Sequence, residues 1–239
     1  MLRTLITVMS LIAVISFAYA ESDSQVEKLR AKLVEALPNF TPDTIKPSTL
    51  PGFHEVAYGT KIVYVSDDGR YVIDGVLVDL DDNKKNLTEV SENETRKQYI
   101  DDINRQESIR FGSQKPKHVV TVFTDIDCQY CRKLHNEMDQ YASYGIQVKY
   151  LLFPRSGLQS AGYQKSVSIW CSDDREDALT RAKAGETVAK AECDNPVTDH
   201  YEIGKKVGVT GTPAILTADG RLLPGYLPAQ DLAQRLDAN

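Results

Sequence analysis

The run "HVVTVFTDIDCQYC", residues 118–131, constrains this chain more than any other stretch: an apolar segment leads directly into two cysteines three positions apart, Cys128 and Cys131. A near-continuous apolar run reads as a strand buried on both faces of a sheet. The pattern then changes period. Cys131, Leu134, Met138 and Tyr141 fall on one face of a helix that Gly145 ends, and "IQVKYLLFP" follows as a second buried strand. Strand, helix and strand make a βαβ unit, whose strands are expected to be parallel and central. Cys128 sits where the first strand meets the helix N-terminus. There the unpaired N–H groups and the helix dipole favour a thiolate, and such cysteines have pKa values of roughly 3.5–7.5. Cys131, one turn on, faces the core and is placed to resolve a mixed disulfide formed at Cys128.

The other cysteines and the N-terminus set the chemical context. The chain opens "MLRTLITVMSLIAVISFAYAES": one positive residue, an apolar run from Leu5 to Phe17, and a small-x-small site at Ala18–Ala20. This is the pattern of a cleavable secretory signal peptide over residues 1–20, too short in its apolar run to span a bilayer comfortably. Export implies an oxidising compartment in which cysteines pair. The four cysteines are Cys128, Cys131, Cys171 and Cys193, which allow three connectivities. A zinc site would need both single cysteines, with 21 residues between them, to reach a helix start. The simpler partition is a redox pair at Cys128–Cys131 and a structural bridge at Cys171–Cys193. That bridge would close a loop of about 20 residues and stabilise by roughly 3 kcal/mol on the chain-entropy model. Removing the leader takes away Arg3 alone among charged residues and leaves 27 basic against 34 acidic, a net charge of −7. An acidic chain argues against nucleic acid or an anionic membrane as the main partner, and stable membrane insertion is not expected.

The remaining 219 residues suit two domains. Val26, Leu29, Leu33 and Leu37 mark a helix over residues 24–37 that Pro38 ends. Short strand-like segments follow: "FHEVAY", "KIVYV", "RYVID" and "VLVDL", with Asp68-Gly69 as a hairpin turn. Ile62 and Tyr64 point one way and Val63 and Val65 the other, so one helix covers only one of two apolar faces. The second face requires a partner, a cleft or a second subunit, or else belongs to a small two-layer core with one greasy surface. The charged stretch at 81–108, without Gly or Pro, reads as a solvated connecting helix. The boundaries expected are 1–20 for the leader, 21–90 for an N-terminal domain, 91–108 for a linker helix and 109–239 for the domain carrying the cysteines.

Near the C-terminus, "VTGTPAILTADGRLLPGY" places Thr212-Pro213 before a buried strand, with a second strand after the Asp219-Gly220 turn. Taken alone, Pro213 is an ordinary trans turn proline. Beside a C-x-x-C in a βαβ setting, which itself suggests thioredoxin-like chemistry, a cis proline exposing the preceding backbone becomes the more interesting reading.

At this point the chain resembles the periplasmic disulfide isomerases of the DsbC/DsbG type. The match rests on "VYVSDDGRYVIDGVLVDL", "KHVVTVFTDIDCQYCRKLH", the Cys171/Cys193 pair after "SIW", and "GVTGTPAILTADGRLLPGY". The resemblance implies an α/β, thioredoxin-like catalytic domain with a helical insertion, and a small α+β, cystatin-like N-terminal domain that dimerises. It implies a homodimer whose apolar cleft holds misfolded disulfide-containing proteins. The family's electron donor, a membrane-bound thiol reductase of the DsbD type, is implied as partner. Carried over by position, Cys128 is the attacking thiol and Cys131 the resolving thiol; Thr212 and cis-Pro213 contact the substrate backbone, with Tyr130 on the same surface; Cys171 and Cys193 form the structural bridge. No metal or organic cofactor is required.

Three departures bear on redox poise. Gln129 stands where the isomerases carry Gly. Asp127 precedes Cys128 in place of a neutral residue; its carboxylate is placed to cap the helix and to oppose thiolate formation. Val122 occupies the position of the acid that thioredoxins bury under the active site, so Cys131 needs another route for its proton. The rival readings are a thiol oxidase or reductase of the same fold, and a chaperone whose cysteines are not essential.

Overall fold

The computed structural model describes residues 24–238, so the expected signal peptide at 1–20 lies outside the described residues. These residues divide into two compact units, the division falling after Ser91.

In the first unit, helix α1 (residues 24–36) lies over a four-stranded antiparallel sheet. Its strands are β1 (Thr44–Pro47), β2 (Phe53–Tyr58), β3 (Lys61–Ser66) and β4 (Val72–Ile73), in that spatial order. The β3–β4 turn follows its sequence. Gly69 takes φ +66°, a conformation that costs a Cβ-bearing residue energy, and Asp68 accepts from the Arg70 amide at 2.9 Å. Alternation divides the apolar side chains between two faces. Val56, Val63 and Val65 pack with Leu29 and Leu33 of α1. Ala57, Ile62 and Tyr64 form a second cluster with Phe53 and Leu77.

Of the alternatives open for the Ile62–Tyr64 face, that second cluster favours burial within the chain over a second subunit. Its cover comes from the same chain: Tyr64 Oη is 2.6 Å from Thr88 Oγ1, and Ser91 Oγ donates to Glu55 at 3.0 Å. Thr88 and Ser91 belong to α2 (Leu87–Lys97). The apolar surface left open lies further on, at Tyr71 (56% exposed), Val72 (51%), Ile73 (43%), Val76 and Leu80. A short hairpin of β5 (Val78–Asp79) and β6 (Lys85–Asn86) precedes α2.

The stretch expected as one solvated linker helix is two helices, α2 and α3 (Ile100–Arg105), with Tyr99 between them. It is also partly buried. In the second unit Arg96 donates through Nε to Val207 O at 3.1 Å, and Ile103 enters a core cluster. Charge density alone had marked these residues as solvent-facing; their buried polar atoms are satisfied by hydrogen bonds.

The second unit holds a five-stranded sheet in the order β11-β10-β8-β9-β7. The strands are β7 (Ile109–Gly112), β8 (His118–Thr124), β9 (Ile146–Leu152), β10 (Ala214–Leu216) and β11 (Leu222–Pro224). β8 and β9 are parallel, with Val120 opposite Val148, and every other pair in this sheet is antiparallel. Val122, Tyr150 and Ile215 enter one core cluster, while Phe123, Leu151 and Leu216 enter the other. This burial on both faces is why β8 and β9 do not alternate in sequence. Between β8 and β9 the expected single helix is broken into α4 (Gln129–Asn136) and α5 (Met138–Ser143), because Glu137 leaves helical geometry at φ −101°, ψ 16°. The helical insertion between β9 and β10 comprises α6 (Ala161–Trp170), α7 (Arg175–Ala184) and α8 (Val197–Lys206); α9 (Ala229–Asp237) closes the chain. The fold is α/β and thioredoxin-like, as the sequence implies.

Candidate active site

β8 ends at Thr124, three residues turn the chain, and Cys128 begins α4. The N-cap is Cys128 itself: its Sγ accepts from the Cys131 amide at 3.4 Å. Asp125 builds the turn. Its buried carboxylate accepts from the Asp127 amide at 2.7 Å and from Arg155 through both the amide (2.9 Å) and Nε (3.1 Å). Cys128 and Cys131 are unbonded thiols, and both are buried.

The second element of the site is the loop before β10. The Thr212–Pro213 peptide is cis. Cys128 Sγ donates to Thr212 O at 3.1 Å, so the fold brings together residues 84 positions apart. The Thr212 hydroxyl is buried and without a hydrogen-bond partner, and is free to donate to Cys128 once that sulfur is ionised.

The two thiols differ in electrostatics. Burial alone would push Cys128 up; hydrogen bonding to its sulfur by the Thr212 side chain and by Cys131, and the positive charge of Arg155, bring it below its ordinary value. Burial pushes Cys131 above its ordinary value, opposed chiefly by the charge of Lys183. Cys128 is therefore the better nucleophile near neutral pH, and Cys131 is held back as a thiol.

Asp127 does not cap the helix, contrary to the sequence expectation. Cys128 occupies that position, and the Asp127 carboxylate accepts instead from Lys165 Nζ at 2.7 and 2.9 Å, with Arg132 at 3.8 Å. Its charge is met by cations supplied from α6 and α4. A cavity of about 620 Å³ opens on this side, lined by Asp127, Arg132, Lys165 and Ile169 among others. Gln129 and Tyr130 are exposed, and the Tyr130 ring stacks on Tyr226 at 6.4 Å. Cys171 and Cys193 lie apart from these groups and are bonded to each other, their Cα atoms 5.7 Å apart. Among the described residues no cluster of three metal-ligating side chains occurs, and no helix is long and apolar enough to cross a membrane.

Asp125, Arg155 and Lys183 complete the surroundings of the thiols and were not singled out in the sequence. Asp125 carried a weak signal, as an acid at a strand end three residues before a cysteine. Arg155 and Lys183 carried none, since only the tertiary fold brings them in.

Residues 105–239 match the Thioredoxin-like domain family, and residues 20–89 match the Disulfide bond isomerase protein N-terminal domain. The chain is 36% identical over 223 residues to the thiol:disulfide interchange protein DsbC of Escherichia coli strain K12, covering 92% of this chain and 89% of that protein. It is 40% identical over 195 residues to DsbC of Salmonella typhimurium, covering 81% and 80%. A crystal structure of a disulfide interchange protein from Neisseria gonorrhoeae aligns with 54% of this chain and 94% of its own at 29% identity, with a TM-score of 0.48.

Proposed function

The chain belongs to the DsbC family of thiol:disulfide interchange proteins, and from that premise we propose the roles of its residues. It is a thiol:disulfide oxidoreductase of the disulfide-isomerase kind. The Cys128 thiolate attacks a wrong disulfide in a substrate protein and forms a mixed disulfide, releasing one substrate thiolate. A second substrate thiol then displaces Cys128, which completes isomerisation; alternatively Cys131 attacks Cys128, which leaves the substrate reduced and the pair oxidised. The single observation that carries this assignment is the asymmetry of the pair: Cys128 is lowered at the start of α4, where its sulfur accepts from the Cys131 amide, and Cys131 is raised in the core.

Thr212, Pro213 and the exposed Tyr130 form the surface on which an extended substrate segment rests against Cys128. The substrates are misoxidised proteins of the periplasm, to which the leader at 1–20 directs the chain. A membrane-bound thiol reductase returns the pair to the dithiol. The N-terminal unit, residues 21–90, dimerises, and 91–108 connects it to the catalytic domain at 109–239. The apolar strip from Tyr71 to Leu80 supports that role, being a run of exposed apolar side chains that includes the edge strand β4.

The test is a pair of variants in cells. Cys128→Ser is expected to abolish exchange. Cys131→Ser is expected to accumulate mixed disulfides with clients, because attack survives and resolution does not. Adducts on a non-reducing gel from Cys128→Ser, and none from Cys131→Ser, would reverse the roles.

A further inference from the structure

The sheet of the second unit carries two cations side by side, far along the strands from the cysteines. On β9, Val148 and Tyr150 enter one core cluster and Leu151 the other, so alternation puts Lys149 on the face of Leu151. That face is otherwise apolar, with Phe123, Leu151 and Leu216 packed against Ile103 of α3. Lys149 is 4% exposed. Directly opposite it across the antiparallel β7–β9 pair is Arg110, whose neighbours Ile109 and Phe111 pack in the other cluster. Like charges directly opposite each other on one face of a sheet are destabilising. The Lys149 ammonium donates to Asn104 Oδ1 of α3 at 3.3 Å. Burial and the Arg110 charge both push its pKa down, with no carboxylate opposing them. One long bond to a neutral amide is weak compensation for a buried ammonium.

A cavity of about 390 Å³ opens at this pair, between α3 and the sheet. Lys149, Arg110 and Asn104 line it together with the apolar Ile100 and Val119. No aspartate or glutamate is among the described residues that line it, although the chain as a whole is acidic at −6. Its size falls within the roughly 300–1,000 Å³ of small-molecule sites, and its make-up matches theirs: apolar walls with a few convergent polar groups. We propose that this cavity is a binding site for a small organic phosphate monoester, its phosphate held by Arg110, Lys149 and Asn104 and its apolar part resting on Ile100 and Val119.

Charge selects the ligand class. Two adjacent cations call for a dianion, and a phosphate monoester carries about −1.5 to −2 near pH 7. The guanidinium offers a planar fork to phosphate oxygens and the ammonium a point charge, while the Asn104 amide nitrogen adds a neutral donor. A bound phosphate turns the repulsion between Arg110 and Lys149 into a shared attraction and bridges β7 and β9 to α3. The folded protein is therefore stabilised by the ligand. The site is separate from the thiol chemistry: Val119, near the start of β8, lines it, whereas Cys128 follows the far end of that strand. The inference does not depend on the roles assigned to the cysteines.

Calorimetric titration of the full-length protein with phenyl phosphate, inorganic phosphate and phenol, at one ionic strength, tests the site. Phenyl phosphate should bind once per chain and raise the thermal midpoint. Inorganic phosphate should bind more weakly, and phenol should not bind. Arg110→Gln, at an exposed position, should weaken phenyl phosphate binding by about tenfold or more, the equivalent of 1.4 kcal/mol. Lys149→Met should abolish it and leave the rate at which the reduced protein consumes Ellman's reagent unchanged. Without ligand, Lys149→Met should unfold at the parent's temperature or above, because a buried charge without a carboxylate partner is replaced by an apolar side chain. A lysine that served only to tie β9 to α3 would instead lower that temperature. No binding of phenyl phosphate at millimolar concentration overturns the proposal. So does phenyl phosphate binding with the parent's affinity in Arg110→Gln and Lys149→Met, which would be a non-specific anion effect, or binding of phenol as tight as that of its phosphate. Equal affinity for inorganic phosphate and phenyl phosphate overturns the assignment of an organic ligand.

Discussion

At the scale of residues, the candidate active site combines groups whose proposed roles follow from local chemistry with groups that only the fold can supply. The C-x-x-C pair was legible because both of its determinants are local. Cys128 follows a buried strand and Cys131 lies one turn on, so the helix start and the core-facing position are set within four residues. Thr212-Pro213 was legible only in combination with that pair, and the contact of Thr212 O with Cys128 Sγ spans 84 positions. Asp127 shows the limit of local reading. A carboxylate just before a helix suggests a cap and an unfavourable field for the thiolate, but Lys165 and Arg132 meet it from the side. Exposed pairs of this kind are worth about 0.2–1 kcal/mol. Lys165→Met should therefore cause a small rise in the Cys128 pKa, read from the pH dependence of its alkylation. Asp127→Asn in that background should cancel the rise, whereas Asp127→Asn alone should lower the Cys128 pKa little. A large fall in Asp127→Asn alone would show that the ion pair does not shield the thiol.

At the scale of elements, strands were easier to anticipate than helix ends. β8, β9 and the β3–β4 turn announce themselves through apolar runs and Asp68-Gly69, which are strong local signals. The breaks at Glu137 and Tyr99 have no such signal. Neither position is Gly or Pro, and the chain bends there because residues on either side are held elsewhere: Tyr141 by Leu227 O, Ile103 by the core. The burial of Thr88, Ser91 and Arg96 was hidden for a related reason, since polar side chains look solvent-facing until their partners are known. The irregular segment at 185–195, between α7 and α8, shows what a crosslink does for an element without a repeating backbone pattern. Cys193 lies in it and is tied to Cys171 at the end of α6, with the Ala191 amide donating to Ser168 Oγ at 3.4 Å as a further tie. Replacing both cysteines by Ser is expected to lower stability by about 2–5 kcal/mol, because the unfolded chain gains the freedom of the opened loop. Denaturant unfolding of the two proteins measures this. Reduction of a small disulfide at low temperature should persist, since Cys128 and Cys131 lie outside the loop. Equal unfolding midpoints would mean that the bridge carries no stability.

At the scale of the whole molecule, each unit has its own core, and the candidate active site lies in one of them. The second unit carries Cys128, Cys131, Thr212, Pro213, Asp125, Arg155 and Lys183, together with the Cys171–Cys193 bridge. Deleting residues 21–90 is therefore expected to leave a protein that still reduces simple disulfides. The first unit contributes surface. Its sheet is covered on both faces across β2 and β3, by α1 on one side and by Leu77 and the start of α2 on the other. Exposed apolar side chains include Val72 and Ile73 on the edge strand β4, Tyr71 just before it, and residues up to Leu80. An unpaired edge flanked by exposed apolar side chains is a template for pairing with another chain. The interface is thus expected at Tyr71–Leu80, and Ile62 and Tyr64 are expected to contribute only to the core. Sedimentation of the truncated protein should show a monomer, and Val72→Lys with Ile73→Lys in the full chain should do the same without unfolding it. Refolding of a scrambled multi-disulfide substrate should fall sharply in both, because isomerisation requires a partly unfolded chain to be held through repeated exchanges while simple reduction does not. A truncated protein that remains dimeric would contradict the interface, and full isomerase activity in a monomer would remove the need for a shared cleft and leave the first unit's open strip to some other partner.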